Sequence, residues 1–165
     1  DIAVKFSLTG HLVFSTVHAN DAPGTLTRLL DIGIAPFLVG SCLNLVMAQR
    51  LVRKLCDKCK EEYKPTKDEL ALIGLSPKDV KNDLCKAKGC ADCRNTGYRG
   101  RTAIFEMIPM AKELRKLVFE NANEDEIRQA AIKNGMVTLR DAGNERVLDG
   151  TTSIEEILRS TVEDL

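Results

Sequence analysis

The sequence predicts an α/β protein carrying a cysteine-rich insert and a helical C-terminal region. Three observations carry that prediction. A β-favouring run near the N-terminus is followed by turn chemistry and then by leucines at helical spacing. Two Cys-x-x-Cys pairs sit in a lysine-rich stretch that is poor in aliphatics. Beyond residue 109, helical patterns are announced by capping residues. The 165 residues are 44% hydrophobic and 29% charged, ordinary globular usage that excludes a largely disordered chain. Twenty-four basic residues balance twenty-four acidic ones, so no global field singles out a nucleic acid or a membrane surface. With no Trp, five Phe and two Tyr, the core must be aliphatic.

Residues 1–52 form the first segment, opening in what reads as a helix. His11-Leu-Val-Phe-Ser-Thr-Val-His18 follows Gly10 and is apolar at consecutive positions, which suits a strand buried on both faces of a parallel sheet. Asn20-Asp21-Ala22-Pro23-Gly24 is turn and cap chemistry. A helix should follow, with Leu26, Leu29 and Leu30 on one face and Gly33 as its stop. A second helix is predicted from Pro36 to about Lys54, bearing Leu38, Val39, Leu43, Val46 and Met47. Strand, turn and helix in that order read as the tail of an α/β domain whose remaining strands lie upstream. The most apolar stretch, residues 37–48, is interrupted by Gly40, Ser41 and Asn44, and is too short for the ~20 residues of a transmembrane segment. No basic start and apolar run mark a signal peptide, so a piece of a longer cytosolic protein is expected.

Residues 53–108 change character. Lys64-Pro65-Thr66-Lys67-Asp68-Glu69-Leu70 reads as a loop entering a short helix, and residues 101–108 as a strand. Of six cysteines, four fall in two pairs, Cys56-Asp-Lys-Cys59 and Cys90-Ala-Asp-Cys93. A Cys-x-x-Cys turn brings two thiolates to one tetrahedral ion, and two such turns complete a closed zinc site. Lys54, Lys58, Lys60 and Arg94 offset the excess charge of four thiolates, and Gly89 and Gly97 supply backbone freedom. In an insert with little core, metal binding would itself provide folding free energy. Disulfides are the bland alternative, and the absence of a secretion signal counts against them. Cys85, five residues before Cys90, is a possible substitute ligand; Cys42, on an apolar helix, reads as a small hydrophobe. Few aromatics and no HxxxH pair make a nucleic-acid partner unexpected. One Cys-x-x-Cys followed by Gly97 is also similar to a single repeat of a chaperone-type cysteine-rich domain, but such domains carry several.

Residues 109–165 predict four helices. One covers about 111–121. The next is capped at Asn123-Glu-Asp-Glu126, with Ile127, Ala130 and Ala131 on one face before Asn134-Gly135. A third spans about 139–148 and ends at Gly150, and a last one starts after Thr152 with Glu155 closing a capping box. They read as a small packed bundle.

His11 and His18 are the two histidines. Seven residues apart in a strand, they would face opposite sides. His18 falls at the strand's carboxyl end, where open α/β sheets collect ligands. Spacing alone leaves a hydrogen-bonded structural role open for both.

Leu8-Thr-Gly-His-Leu-Val-Phe-Ser-Thr-Val-His-Ala-Asn-Asp-Ala22 resembles the histidine box of the secretion ATPase superfamily. Pro36-Phe-Leu-Val, Ala48-Gln-Arg-Leu-Val-Arg-Lys-Leu-Cys56, the run from Gly89 to Arg101 with Phe105-Glu106, and Gly150-Thr-Thr-Ser-Ile-Glu-Glu-Ile-Leu-Arg159 continue the likeness to its type II secretion and type IV pilus assembly members. The resemblance implies a cytoplasmic hexameric ATPase with a RecA-like core, peripheral to the inner membrane. Such an ATPase drives pilin or pseudopilin polymerisation by pushing on an inner-membrane platform protein. It implies zinc at Cys56, Cys59, Cys90 and Cys93, and it places His11 and His18 where they sense or position the γ-phosphate. Val17 and Ala19 replace the Leu and Thr common in the box. No GxxxxGK[ST] occurs in the sequence, so ATP and Mg²⁺ are expected of the full-length parent only, and this stretch alone should be inactive. The alternative is a stand-alone, zinc-stabilised protein-interaction module without catalysis.

Overall fold

The computed structural model describes residues 2–161; Asp1 and residues 162–165, at the edges of the first and last expected segments, lie outside them. The element order is α1 (Ile2–Leu8), α2 (Ala22–Asp31), α3 (Pro36–Cys42), β1 (Leu45–Leu55), β2 (Glu61–Tyr63), α4 (Lys67–Leu72), β3 (Leu84–Lys86), β4 (Tyr98–Pro109), α5 (Lys112–Phe119), α6 (Glu124–Lys133), α7 (Leu139–Leu148) and α8 (Ile154–Ser160), with a 3-10 turn at Ala91–Cys93. The fold is therefore mixed α/β with small sheets: β1 pairs with β4, and β2 runs antiparallel to β3 in the register Glu61↔Lys86, Tyr63↔Leu84.

The chain sorts into two units, each built from two stretches. The first comprises residues 1–48 and 106–138. Its α2 starts where Asp21 accepts the Gly24 N–H at 2.7 Å and where Pro23 occupies the first turn. Leu26 of α2, Val39 of α3, Leu114 and Val118 of α5, and Ile127 and Ala131 of α6 close the core. Burying each of the larger of these side chains contributes roughly 1.5–3 kcal/mol. Gly40 brings α3 against α5: a Cβ there would lie 2.4 Å from the Phe119 ring. The Arg115 guanidinium donates to the Gly40 and Met110 carbonyls and joins the same two helices. The Asn123–Glu126 capping box starts α6 as expected.

The second unit comprises residues 49–105 and 139–165. Thr66 and Glu69 form a capping box on α4, and Leu70 and Ile73 are buried behind it. Helix α7 lies on α8 at Gly143, where a Cβ would meet the Ile157 Cδ1 at 2.8 Å. The Asn144 amide donates to the Ile73 carbonyl at 2.8 Å and so satisfies the end of α4. The C-terminal helices divide two and two, α5 and α6 falling in the first unit and α7 and α8 in the second.

Three local expectations are corrected. Residues 11–18 are not a strand but an irregular exposed segment, with Leu12 77% and Phe14 89% accessible. A strand is held by its neighbours' hydrogen bonds, and among the described residues every paired strand is already matched, β1 with β4 and β2 with β3. The helix expected over residues 36–54 ends at Cys42. Leu43 turns extended (φ −77°, ψ 133°) and β1 begins at Leu45. There Val46 is buried between exposed Leu45 and Met47, a period of two that short apolar runs do not distinguish from a helical one. Finally, the cap of α8 is Ser153, which accepts from the Glu156 N–H, and not Thr152 with Glu155; Thr152 instead donates to the Arg53 carbonyl at 2.8 Å.

Candidate functional site

Two tight turns of the second unit build the cysteine site. The first leaves β1 directly: Cys59 and Lys60 both donate their N–H to the Cys56 carbonyl, at 3.1 and 2.9 Å. The second is the 3-10 turn Ala91–Cys93 followed by Arg94 and Asn95, both left-handed at φ 54° and 58°, with Asn95 N–H returning to Cys90 O at 2.8 Å. Glycine is required on either side of it. A Cβ on Gly89 (φ +107°) would lie 2.8 Å from Asn95 O, and one on Gly97 (φ +76°) 2.5 Å from the Ala87 Cβ. The turns are joined through the Cys56 N–H, which donates to Gly97 O at 2.9 Å.

The four sulfurs converge. Cys56 and Cys90 Sγ are 4.0 Å apart, Cys59 and Cys93 3.8 Å, Cys90 and Cys93 3.7 Å, and all four lie within 4.8 Å of one another. A tetrahedron with zinc–sulfur bonds of ~2.3 Å has edges of about 3.8 Å, so this donor set fits that ion in size, number and softness. None of the six cysteines is in a disulfide. Burial opposes ionisation of Cys93, but the N–H groups of Cys90 (3.1 Å) and Gly97 (3.2 Å) aim at its sulfur and bring the thiol down to about 6. Burial pushes the Cys59 thiol up to about 12, against the Gly89 N–H and with the neighbouring thiols of Cys90, Cys93 and Cys56 adding to it. A cation placed among them removes that conflict, because it favours every thiolate at once. Two of the expected basic neighbours are held by the acids inside the motifs: Lys58 pairs with Asp92 at 2.8 Å and Lys60 with Asp57 at 3.4 Å.

The other two cysteines stand outside this cluster. Cys85 is buried in β3 opposite Glu62, and a Cβ on Gly150 would come 3.3 Å from its sulfur. Cys42 ends α3 half-buried, its thiol 3.8 Å from the Val4 carbonyl.

The histidines belong to the first unit. His11 follows the turn that ends α1, with Nδ1 2.9 Å from Thr9 Oγ1 and its ring edge-on to Phe6 at 5.8 Å. His18 is exposed in the irregular segment, three residues before the Asp21 cap of α2. That cap is held from two distant elements. The buried Glu106 of β4 accepts the Ala22 N–H at 2.8 Å, and Arg128 of α6 reaches Asp21 at 2.8 Å and Glu124 at 2.6 Å.

Sequence reasoning quoted Glu106 and Glu156 only within the family resemblance and gave no role to either, nor to Arg128. Glu155 and Glu156 look alike as first-turn acids, and only packing separates them. Burial opposes the Glu156 charge, yet hydrogen bonds from Arg159 and Arg53 bring its carboxyl down to about 2.

The family described as "Type II/IV secretion system protein" matches residues 1–159. The chain is 48% identical, over 99% of its length, to the type IV pilus assembly ATPase PilB of Myxococcus xanthus, covering 29% of that protein. It is 46% identical to the type II secretion system protein E of Pseudomonas aeruginosa, over 99% of the chain and 32% of that protein. The type II secretion system ATPase E of Vibrio cholerae is also 46% identical, over 98% of the chain and 32% of its own length. The chain thus spans about a third of the length of these relatives. On this evidence the chain belongs to the type II/IV secretion system protein family.

Proposed function

We propose that the chain is the C-terminal portion of a hexameric cytoplasmic ATPase, peripheral to the inner membrane, that powers pilus assembly or type II secretion. The observation that carries this reading is the family match over residues 1–159, with relatives named as pilus-assembly and secretion ATPases. In it, residues 1–52 end a RecA-like core and residues 53–108 carry the metal-binding subdomain, while the helices of residues 109–165 are shared between the two units, α5 and α6 with the first and α7 and α8 with the second. The partner is an inner-membrane platform protein, and the work done is polymerisation of pilin or pseudopilin.

Cys56, Cys59, Cys90 and Cys93 would hold zinc in a closed four-sulfur shell. Such a shell has no open coordination position, so the ion supplies folding energy and not reaction chemistry. His18, with His11 as second candidate, presents an imidazole towards the γ-phosphate, where an N–H donor stabilises developing charge on phosphoryl oxygens. The exposed, irregular segment that carries His18, leading directly into the capped start of α2, suits such a binding group. ATP and Mg²⁺ belong to the full-length protein, because the phosphate cradle GxxxxGK[ST] is absent from this sequence.

The test compares the purified full-length protein with residues 1–165 alone. The full-length protein should hydrolyse Mg-ATP and sediment as a hexamer, while the isolated stretch binds zinc without turning over ATP. Turnover by the isolated stretch, or none by the full-length protein at saturating Mg-ATP, overturns the reading.

A further inference from the structure

We infer that Glu106 and Arg128 are positioning residues for His18. The inference rests on the proposed role of His18 near the nucleotide, and it adds the two groups that set where that histidine stands.

His18 has no regular structure of its own to hold it, so its place depends on where the segment is anchored downstream. A strong anchor is the junction Asp21–Ala22, three residues on. Ala22 is fully buried, and its N–H is one of the donors that a helix leaves without an internal partner. Glu106, 2% exposed, accepts it at 2.8 Å. The Asp21 carboxylate divides between the Gly24 N–H at 2.7 Å and Arg128 at 2.8 Å, and the Asp21 carbonyl accepts Thr25 Oγ1 at 2.8 Å. Arg128 is itself held by Glu124 at 2.6 Å. Both outside groups come from elements fixed by the core of the same unit, Glu106 two residues before Ile108 and Arg128 next to Ile127. A backbone amide cap alone needs no carboxylate from a strand 84 residues away. A buried carboxyl group there, together with Arg128, fixes the junction in two directions at once, Glu106 on the amide and Arg128 on the side chain. A ligand-facing histidine misplaced by about 1 Å can lose up to roughly 100-fold in rate, so this precision has a use.

The test is steady-state ATP hydrolysis by the full-length protein containing this chain, with Glu106→Ala, Glu106→Gln and Arg128→Met, each alone and combined with His18→Ala. Circular dichroism and sedimentation select variants that keep fold and assembly. Expected are a kcat loss of roughly 10-fold or more for Glu106→Ala and Arg128→Met, with KM for ATP held within about twofold. Glu106→Gln, whose amide oxygen still accepts the Ala22 N–H, recovers most of the rate. In the His18→Ala background neither Glu106→Ala nor Arg128→Met lowers kcat further. Should Glu106→Ala not fold, Arg128→Met carries the same test from the less buried side. His18-dependent turnover that ignores Glu106 and Arg128, or losses that multiply with His18→Ala, overturns the positioning role and leaves the ATPase reading standing. Full turnover by His18→Ala itself removes the histidine role, and the positioning role with it.

Discussion

Arg53 engages Glu156 through its backbone N–H at 2.9 Å and through Nε and Nη2 at 2.8 and 2.6 Å. Arg159 closes the other side of the same carboxylate at 3.0 and 2.7 Å. The Arg53 guanidinium also lies 4.0 Å from the centre of the Tyr98 ring, whose hydroxyl meets Ser153 Oγ at 2.7 Å. A carboxylate with no exposed surface is tolerable here because its oxygens are all engaged by donors, two of them cationic groups.

Removing this carboxylate should be costly. Glu156→Ala leaves the part-buried Arg53 without its partner, and a loss of roughly 3 kcal/mol is expected in urea unfolding at pH 7.

The same group sets a pH dependence. Its carboxyl is held near 2 against an ordinary 4.5, so its stabilisation is complete above about 4.5 and lost as pH falls towards 2. The difference in stability between wild type and Glu156→Gln should therefore shrink across that window. A difference that stays constant from pH 6 to 3 would disprove the assignment. Comparing the two proteins cancels any acid sensitivity of the cysteine site, which both share.

Elemental analysis of reduced protein should find about one zinc per chain, from four thiolates in a closed shell. Single Cys→Ser changes at 56, 59, 90 or 93 should release it and lower the melting temperature, as should a strong chelator. Cys85→Ser should keep the stoichiometry, because its sulfur lies outside the cluster.

One pair of glycines separates conformation from contact. Gly97→Ala and Gly100→Ala both impose a strained φ, of +76° and +78°, costing roughly 1–3 kcal/mol. Only Gly97 also drives a Cβ into Ala87 beside the cysteines, so only Gly97→Ala should weaken zinc retention, measured by competition with a chromogenic chelator.

In helices the contrast is between neighbours that yield and neighbours that do not. Gly143→Ala meets the fully buried Ile157 and should destabilise by roughly 1–2 kcal/mol despite its better helix propensity. Gly40→Ala meets the Phe119 ring, 48% exposed and able to swing aside, and should stay within about 0.5 kcal/mol of neutral. Thermal unfolding of both variants decides.

How legible the chain was depended on whether the signal was local. Asp21 before α2 and the Asn123–Glu126 box before α6 announce their helices, because a cap is satisfied within four residues. The cysteine cluster was readable from spacing for the same reason: each turn is complete in itself. Residues 11–18 and β1 were not, since a strand's state is decided by a partner remote in sequence, and Val46 with Met47 fits either period. The clamp on Asp21 and Ala22 was invisible because its partners, Glu106 and Arg128, lie 84 and 107 residues away.

Because each unit is assembled from two separated stretches, synthesis and folding cannot run in the same order. Cys93, the last ligand, is made before any of α5 or α6 exists, whereas Leu26 must wait for Ile127 to close its core. At ordinary translation rates that wait, roughly 100 residues, lasts about 5–20 s. The four cysteines can thus converge while the first unit is still without α5 and α6. Were the cysteine cluster to close on the proposed zinc, a shortage of that ion would leave the chain on the ribosome with two unfinished cores in place of one.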